Sequence, residues 1–188
     1  MELQETLREY IAKASAGDRD AFRGIFEVAN DKVFRFLLGQ FHDREQALDA
    51  LQDVFIDIWK GLPRFQYKSD EEFWGFVFLV ARRKVYAYRK NANKQPATFE
   101  HETLEFLYEE TSPRLSPHED YRILDTAMAK IGAISREVLT LRYWSDLSFR
   151  EIALAMHTTE NSAKVRHHRA LKELQAYLPV AYVKQQFG

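Results

Sequence analysis

The sequence predicts an all-α protein: two small helical domains joined by an acidic linker, the second domain a helix-turn-helix. Three observations predict it. Apolar residues recur at spacings of three and four through most of the chain, and no stretch alternates apolar and polar residues as a half-buried strand would. Residues 148–174, SFREIALAMHTTENSAKVRHHRALKEL, read as two short helices around a three-residue turn. Between these patterns, Pro96, Pro113 and Pro117 punctuate a stretch rich in glutamate, longer than most loops inside one domain. The expected division is 1–95, 96–118 and 119–188.

The elements follow in order. A helix over residues 3–15 is stopped near Gly17, and Asp18 or Asp20 can cap the next, whose apolar positions are Phe22, Ile25, Phe26, Val33, Phe34, Leu37 and Leu38. Asp43 starts a third helix, in which Ala47, Leu51, Val54, Phe55 and Ile58 share one face until Gly61 and Pro63 end it. Residues 65–70 form a polar, aromatic loop before a long helix from Glu71 to Asn91. A turn of helix is expected at Leu104–Tyr108 within the linker. In the second domain, Ser148 and Glu151 make an S-x-x-E capping box, and His157-Thr158-Thr159 interrupts the helical pattern before a second helix begins.

Composition limits the function classes. With 188 residues, 46% of them hydrophobic, the chain can build real cores, and with no cysteine it has neither disulfides nor a thiolate zinc site. No apolar run approaches the length of a membrane span, and MELQETLREY lacks the layout of a signal peptide, so a cytoplasmic protein without membrane contact is expected. The net charge of −1 hides an uneven distribution. Residues 1–95 carry 16 basic and 15 acidic side chains, 96–120 carry 1 and 7, and 121–188 carry 10 and 6, so the whole-chain charge does not describe either domain.

Two cationic segments point to nucleic acid. The second helix of the helix-turn-helix carries Lys164, Arg166, Arg169 and Lys172 on one side and Ala163, Ala170, Leu171 and Leu174 on the other, the division that major-groove docking requires. Residues 82–94, RRKVYAYRKNANK, place six cations beside Tyr86 and Tyr88 with no acid. Rings that stack on bases and cations that hold phosphates suit single-stranded DNA. A third pattern is acidic: Asp49, Asp53 and Asp57 recur every four residues along one helix face with Gln52 beside them. The absence of any E-x-x-H and of matching carboxylates on a second helix speaks against a bundle-type metal site, and no metal or cofactor is expected.

Four segments resemble bacterial sigma factors of the extracytoplasmic-function type, the short two-domain specificity subunits of RNA polymerase. DREQALDALQDVFIDIW is similar to that family's DAEDLVQEVFLRLW, and FWGFVFLVARR to its FRAWLYRIARN. REVLTLRYWSDLSFREIA is similar to REVL followed by LSYEEIA, and NSAKVRHHRALKEL to GTVKSRLxRAxxxL. The order and spacing match over nearly the whole chain. Departures fall at Asn161 and Val165, where the family has Gly and Ser, at His157 before the turn, and at Arg83 and Ala87 in the melting helix.

The resemblance implies a transcription initiation factor and not an enzyme. Its partners would be core RNA polymerase, promoter DNA and, as a candidate, an anti-sigma factor. Asp49, Gln52, Asp53 and Asp57 would dock on the polymerase. Phe65, Tyr67, Arg82, Arg83, Lys84, Tyr86, Arg89 and Lys90 would hold the melted minus-ten strand. Arg150, Thr159, Asn161, Ser162, Lys164, Val165, Arg166, His168 and Arg169 would bind the minus-thirty-five duplex. The acidic linker, with Glu100, Glu102, Glu105, Glu109 and Glu110, would thread a basic channel of the polymerase. Two other classes fit parts of the pattern: a stand-alone helix-turn-helix regulator with an N-terminal ligand or dimerisation domain, and a metal-dependent nuclease using the aspartates.

Overall fold

A computed structural model describes residues 2–41, 43–91 and 119–178. The acidic segment and the helical turn expected at Leu104–Tyr108 lie outside the described residues. Among the described residues there is no strand, and no helix is long and apolar enough to cross a membrane.

The first bundle comprises α1 (Glu2–Ser15), α2 (Arg19–Phe41), α3 (Arg44–Gly61) and α4 (Asp70–Asn91). Helix α1 ends where Gly17 takes φ +96, which a residue without Cβ adopts freely, and Asp18 then caps α2 by accepting from the amides of Asp20 and Ala21. Asp43 caps α3 in the same way through the amide of Gln46. Pro63 begins a single 3-10 turn, Leu62–Arg64, after which the chain crosses to α4. Helix α2 is the central element, burying Phe22, Ile25, Phe26, Val33, Phe34, Phe36 and Leu37 along its length. Edge-on aromatic contacts tie it to its neighbours: Phe22 to Trp59 at 4.9 Å, Phe26 to Phe55 at 4.7 Å, and Phe36 to Phe78 at 5.7 Å.

The second bundle contains α5 (Glu119–Lys130), α6 (Ala133–Leu139), α7 (Phe149–Ala155) and α8 (Glu160–Gln175). The Ser148–Glu151 capping box is formed in full, the Ser148 amide donating to Glu151 Oε2 and the Glu151 amide to Ser148 Oγ. Thr159 caps α8 by accepting from the Ser162 amide. Between α7 and α8 the backbone turns through His157 at φ +48, a left-handed position that histidine enters more readily than branched residues do. Helix α6 runs into a π turn at Thr140–Trp144, where the Ser145 amide reaches back five residues to the Thr140 carbonyl. The turn before α6 is held by side chains: Arg136 donates to the carbonyls of Met128, Ala129 and Ile131 at the end of α5, while Glu173 of α8 accepts from the Gly132 amide and the Ser135 hydroxyl. These bonds hold the Glu173 carboxyl below the usual carboxylate range, the serine contributing most.

The two bundles pack against one another. Val138, Leu141, Leu147, Ile152, Ala155 and Ala163 of the second belong to the same continuous core as the first, whereas Ala127, Met128, Ile131, Leu139, Ala170 and Leu174 form a separate small core under α5, α6 and α8. Helix α7 lies on α4 so closely that a Cβ at Gly75 would come within 2.6 Å of Leu154 Cβ.

Phe55 is fully buried between Phe22 and Phe26. Phe55→Ala is expected to lower unfolding stability by about 3–5 kcal/mol, measured by urea denaturation. Substitution at exposed Tyr177, which neither core contains, is expected to stay within about 0.5 kcal/mol of the parent.

Candidate nucleic-acid interface

Helix α8 exposes Asn161, Lys164, Val165, His168, Arg169 and Lys172, a continuous stripe at spacings of three and four, and buries Ala163, Ala170 and Leu174 on its opposite side. Lys164 meets Glu160 at 2.7 Å, with both side chains half exposed, so water and salt weaken the pair and the ammonium remains available to a ligand. Arg150 is exposed at the start of α7. Thr159 and Ser162 are occupied with each other: the Thr159 hydroxyl donates to Ser162 Oγ as well as accepting from its amide. Arg166 is half-buried, one step off the stripe.

The adjacent histidines part company. His168 points outward with the stripe, while His167 turns back against Phe149 and Tyr143, its Nε2 3.0 Å from the Tyr143 hydroxyl. Burial, followed by the nearby positive Arg142, pushes the His167 pKa down and keeps the ring neutral at pH 7. Of the two, only His168 was expected at the DNA; the packing of α7 and the π turn is what holds His167 inward.

Helix α4 distributes its basic residues over three faces. Arg83, Tyr86 and Lys90, at i, i+3 and i+7, are exposed and form one open stripe. Lys84 and Tyr88 turn toward α3, where Lys84 Nζ lies 2.8 Å from Asp57 and 3.8 Å from Asp53, and the Tyr88 hydroxyl donates to Asp53. Burial, reinforced by the Asp53 charge, pushes the Tyr88 phenol up. Arg82 turns toward the second bundle and Arg89 toward α2. Arg82 Nε is 2.7 Å from Glu137 Oε1, its Nη2 also reaches Oε2, and its Nη1 donates to the Ala155 carbonyl. Arg89 donates to both oxygens of Gln40, whose amide donates to Thr140 Oγ1. Glu137, Gln40, Thr140 and Ala155 were absent from the sequence-derived site, because nothing local marks a partner 49 to 100 residues distant.

The loop aromatics are not free rings. Phe65 stacks on Phe76 at 4.9 Å and meets Phe73 edge-on, and the Tyr67 hydroxyl donates to Asp70 at 2.6 Å. On α3, Asp49 and Asp57 are exposed, while Gln52 and Asp53 are half-buried. The acidic face is therefore partly neutralised by Lys84, and Asp49 with Gln52 is its freest part. Among the described residues no three His, Asp or Glu side chains converge as a metal ion would require.

Comparison with known proteins places both bundles. Residues 25–95 match the family model described as Sigma-70 region 2, and residues 121–174 match that of Sigma-70, region 4. The chain is similar to the ECF RNA polymerase sigma factor BldN of Streptomyces coelicolor, 26% identical over 92% of this chain and 66% of that protein, so it spans a little under two thirds of the relative's length. It is also similar to the ECF RNA polymerase sigma factor SigD of Mycobacterium tuberculosis, 29% identical over 90% of this chain and 82% of the relative. The fold is that of RpoE, a sigma factor solved with the anti-sigma factor NepR from Bartonella quintana, at a TM-score of 0.64 and 20% identity over 85% of this chain and 97% of that one.

The Tyr67 phenol is pushed up to about 12, chiefly by its hydrogen bond to Asp70. That bond favours the protonated phenol, so its stabilising contribution is complete below pH 10 and disappears as pH rises through 12. In a tyrosinate absorbance titration, Asp70→Asn is expected to move Tyr67 toward the ordinary tyrosine value of 10.0 and to leave Tyr88 late, so that the high-pH amplitude falls; a high-pH amplitude equal to that of the parent would refute the bond.

Proposed function

This chain belongs to the extracytoplasmic-function group of the sigma-70 family, and from that premise we propose how its surfaces recruit core RNA polymerase and direct it to promoters. The observation that carries the proposal is the exposed stripe of α8, six residues on one face of a helix whose other face is fixed by the helix-turn-helix core. In the major groove, Arg169 and Lys164 suit guanine O6 and N7, Asn161 suits adenine, and the Val165 methyls suit the methyl group of thymine. Arg150, Arg166 and the α8 N-terminus, with Thr159 and Ser162, lie beside that stripe and suit phosphates.

The first bundle supplies two further contacts. Asp49 and Gln52, with Asp53 and Asp57 behind them, present an acidic helix face to the polymerase. Arg83, Tyr86 and Lys90 offer two cations and a ring, half exposed at 51%, to a melted minus-ten strand. Phe65 and Tyr67 lie toward the other end of α4, where Phe65 stacks on Phe76 and Tyr67 bonds to Asp70. The protein performs no chemistry on DNA and acts in the cytoplasm, where polymerase and promoter meet. We extend to it the kind of partner found with the Bartonella neighbour, an anti-sigma factor.

Reconstitution with core polymerase tests the assignment. Asp49→Arg leaves the buried stripe of α3 untouched and is expected to keep the helical circular dichroism while losing co-purification with core enzyme. Normal core binding by that variant would sink the docking role.

The DNA surfaces are tested separately. Arg169→Ala is expected to lower affinity for the cognate minus-thirty-five duplex by about 1–3 kcal/mol relative to a scrambled one, measured by fluorescence anisotropy. Uniform weakening on both duplexes, with the salt slope reduced by about one, would assign Arg169 to a phosphate. Replacing Arg83, Tyr86 and Lys90 by Ala should impair strand opening more than initial promoter binding. Permanganate reactivity of unpaired thymines reports the difference, and equal loss of both steps would point to duplex binding.

A further inference from the structure

We infer that Arg83, Tyr86, Ala87 and Lys90 form a seat for one base on α4, and that the base it takes is guanine, read by the Arg83 guanidinium. This inference deepens the reading of α4 as the strand-binding helix and rests on it.

The other cations of this stretch are already committed. Arg82 is held by Glu137 and the Ala155 carbonyl, Lys84 by Asp57, and Arg89 by Gln40. Arg83 and Lys90 are exposed, and among the described residues neither has an ion-pair or hydrogen-bond partner. Helix α4 carries no carboxylate after Glu72, so its own surface offers them none. Two cations with unspent donors therefore stand at the two ends of one open stripe.

That stripe has a shape. Residues 83, 86, 87 and 90 fall within about 100° of arc, and about 10 Å along the axis separates the first from the last. Ala87 lies between the cations, exposed and bearing only a methyl group, so the helix surface dips there. Tyr86 stands beside the dip with half of its surface open. Helical side chains lean toward the N-terminus, which brings Lys90 back toward Tyr86 and tilts the Tyr86 ring toward the turn bearing Arg83. A base stacked on that ring, above Ala87, has an ammonium at one end for its phosphate and a guanidinium at the other for its edge.

The difference between those two cations selects the base. An ammonium acts as a point charge, whereas the guanidinium fork matches two adjacent acceptors. On an unpaired strand guanine offers such a pair in O6 and N7, and cytosine in O2 and N3; adenine and thymine set donors between or beside their acceptors. Guanine is favoured over cytosine on two grounds. Its two-ring face covers more of the Tyr86 ring than a pyrimidine can. Its O6 and N7 also lie on the major-groove edge, which base pairing leaves open, so Arg83 can hold the same base before the duplex opens and after. Cytosine N3, by contrast, is engaged until the strands part. Arg83 and Ala87 are both positions where the chain departs from the family pattern, so the preference is this chain's own.

Fluorescence anisotropy with labelled short oligothymidylates tests the seat, using the full chain alone and assembled with core polymerase. Each strand carries one central dG, dA, dC or 7-deazaguanine, which keeps O6 and lacks N7. A single dG is expected to raise affinity about tenfold over thymidylate alone, the worth of one bidentate contact, and 7-deazaguanine to lose most of that gain. Arg83→Lys keeps the charge and is expected to abolish the preference for dG. Tyr86→Ala is expected to weaken binding of every strand, because stacking serves all bases.

Helical circular dichroism checks that each variant is folded, as both positions are exposed and outside the two cores. Equal binding of the four bases, a preference for dC, a gain that 7-deazaguanine retains, or a dG preference that survives Arg83→Lys would each overturn the inference. Unaltered binding by Tyr86→Ala would do the same. If the parent bound none of these strands, alone or with core enzyme, the reading of α4 itself would fail and the seat with it.

Discussion

The Arg82–Glu137 ion pair is the contact on which the arrangement of this molecule turns. Each partner is nearly out of water, and a lone buried charge at either position would be costly, commonly about 3–5 kcal/mol, so the two residues enforce each other's placement. The pair fixes one flank of α4 against α6, and the Ala155 carbonyl brings the end of α7 to the same guanidinium. With α7 fixed on α4, the turn through His157 and the Thr159 cap determine where α8 begins. The orientation of the exposed α8 stripe is therefore set from a residue on the other bundle.

The same helix, α4, carries three chemically distinct tasks because its residues point in three directions. One flank holds α3 through Lys84 and Tyr88, one holds the second bundle through Arg82 and, by way of Gln40 of α2, through Arg89, and one is open with Arg83, Tyr86 and Lys90. A basic run read as a single patch thus divides into a structural third, an interfacial third and a solvent-facing third. The division follows from the 100° rotation per residue of a helix enclosed on two sides by other helices. Cations on the enclosed flanks need carboxylate or carbonyl partners to be buried at all, and each of these has one.

The second bundle shows the same economy on a smaller scale. Its own core is a handful of side chains, from Met128 and Ile131 to Leu174, and the turn between α5 and α6 is secured by Arg136 and Glu173 rather than by apolar packing. Ile152 and Ala155 of α7 belong to the core that the first bundle shares with the second. The helix-turn-helix is thereby held between two supports, its own small core and the first bundle.

Much of this was legible in the chain itself. The helices, the caps at Asp18, Asp43, Ser148 and Thr159, and the buried positions of α3 and α8 follow from interactions among residues three or four apart, which a sequence states directly. The family's motifs, carried in order, pointed to the two sigma-70 regions that the bundles match. What the chain did not state were the fates of individual surface residues: Phe65 stacked away on Phe76, His167 turned in and His168 out, and Lys84 held by Asp57. Nor did it show the elements between Glu119 and Leu147, where short helices and a π turn leave weak periodicity. The pairing of Arg82 with Glu137, and of Gln40 with Thr140, joins residues 55 and 100 positions apart. Such partners are chosen by which helix faces meet after the chain collapses, and only the tertiary structure decides that.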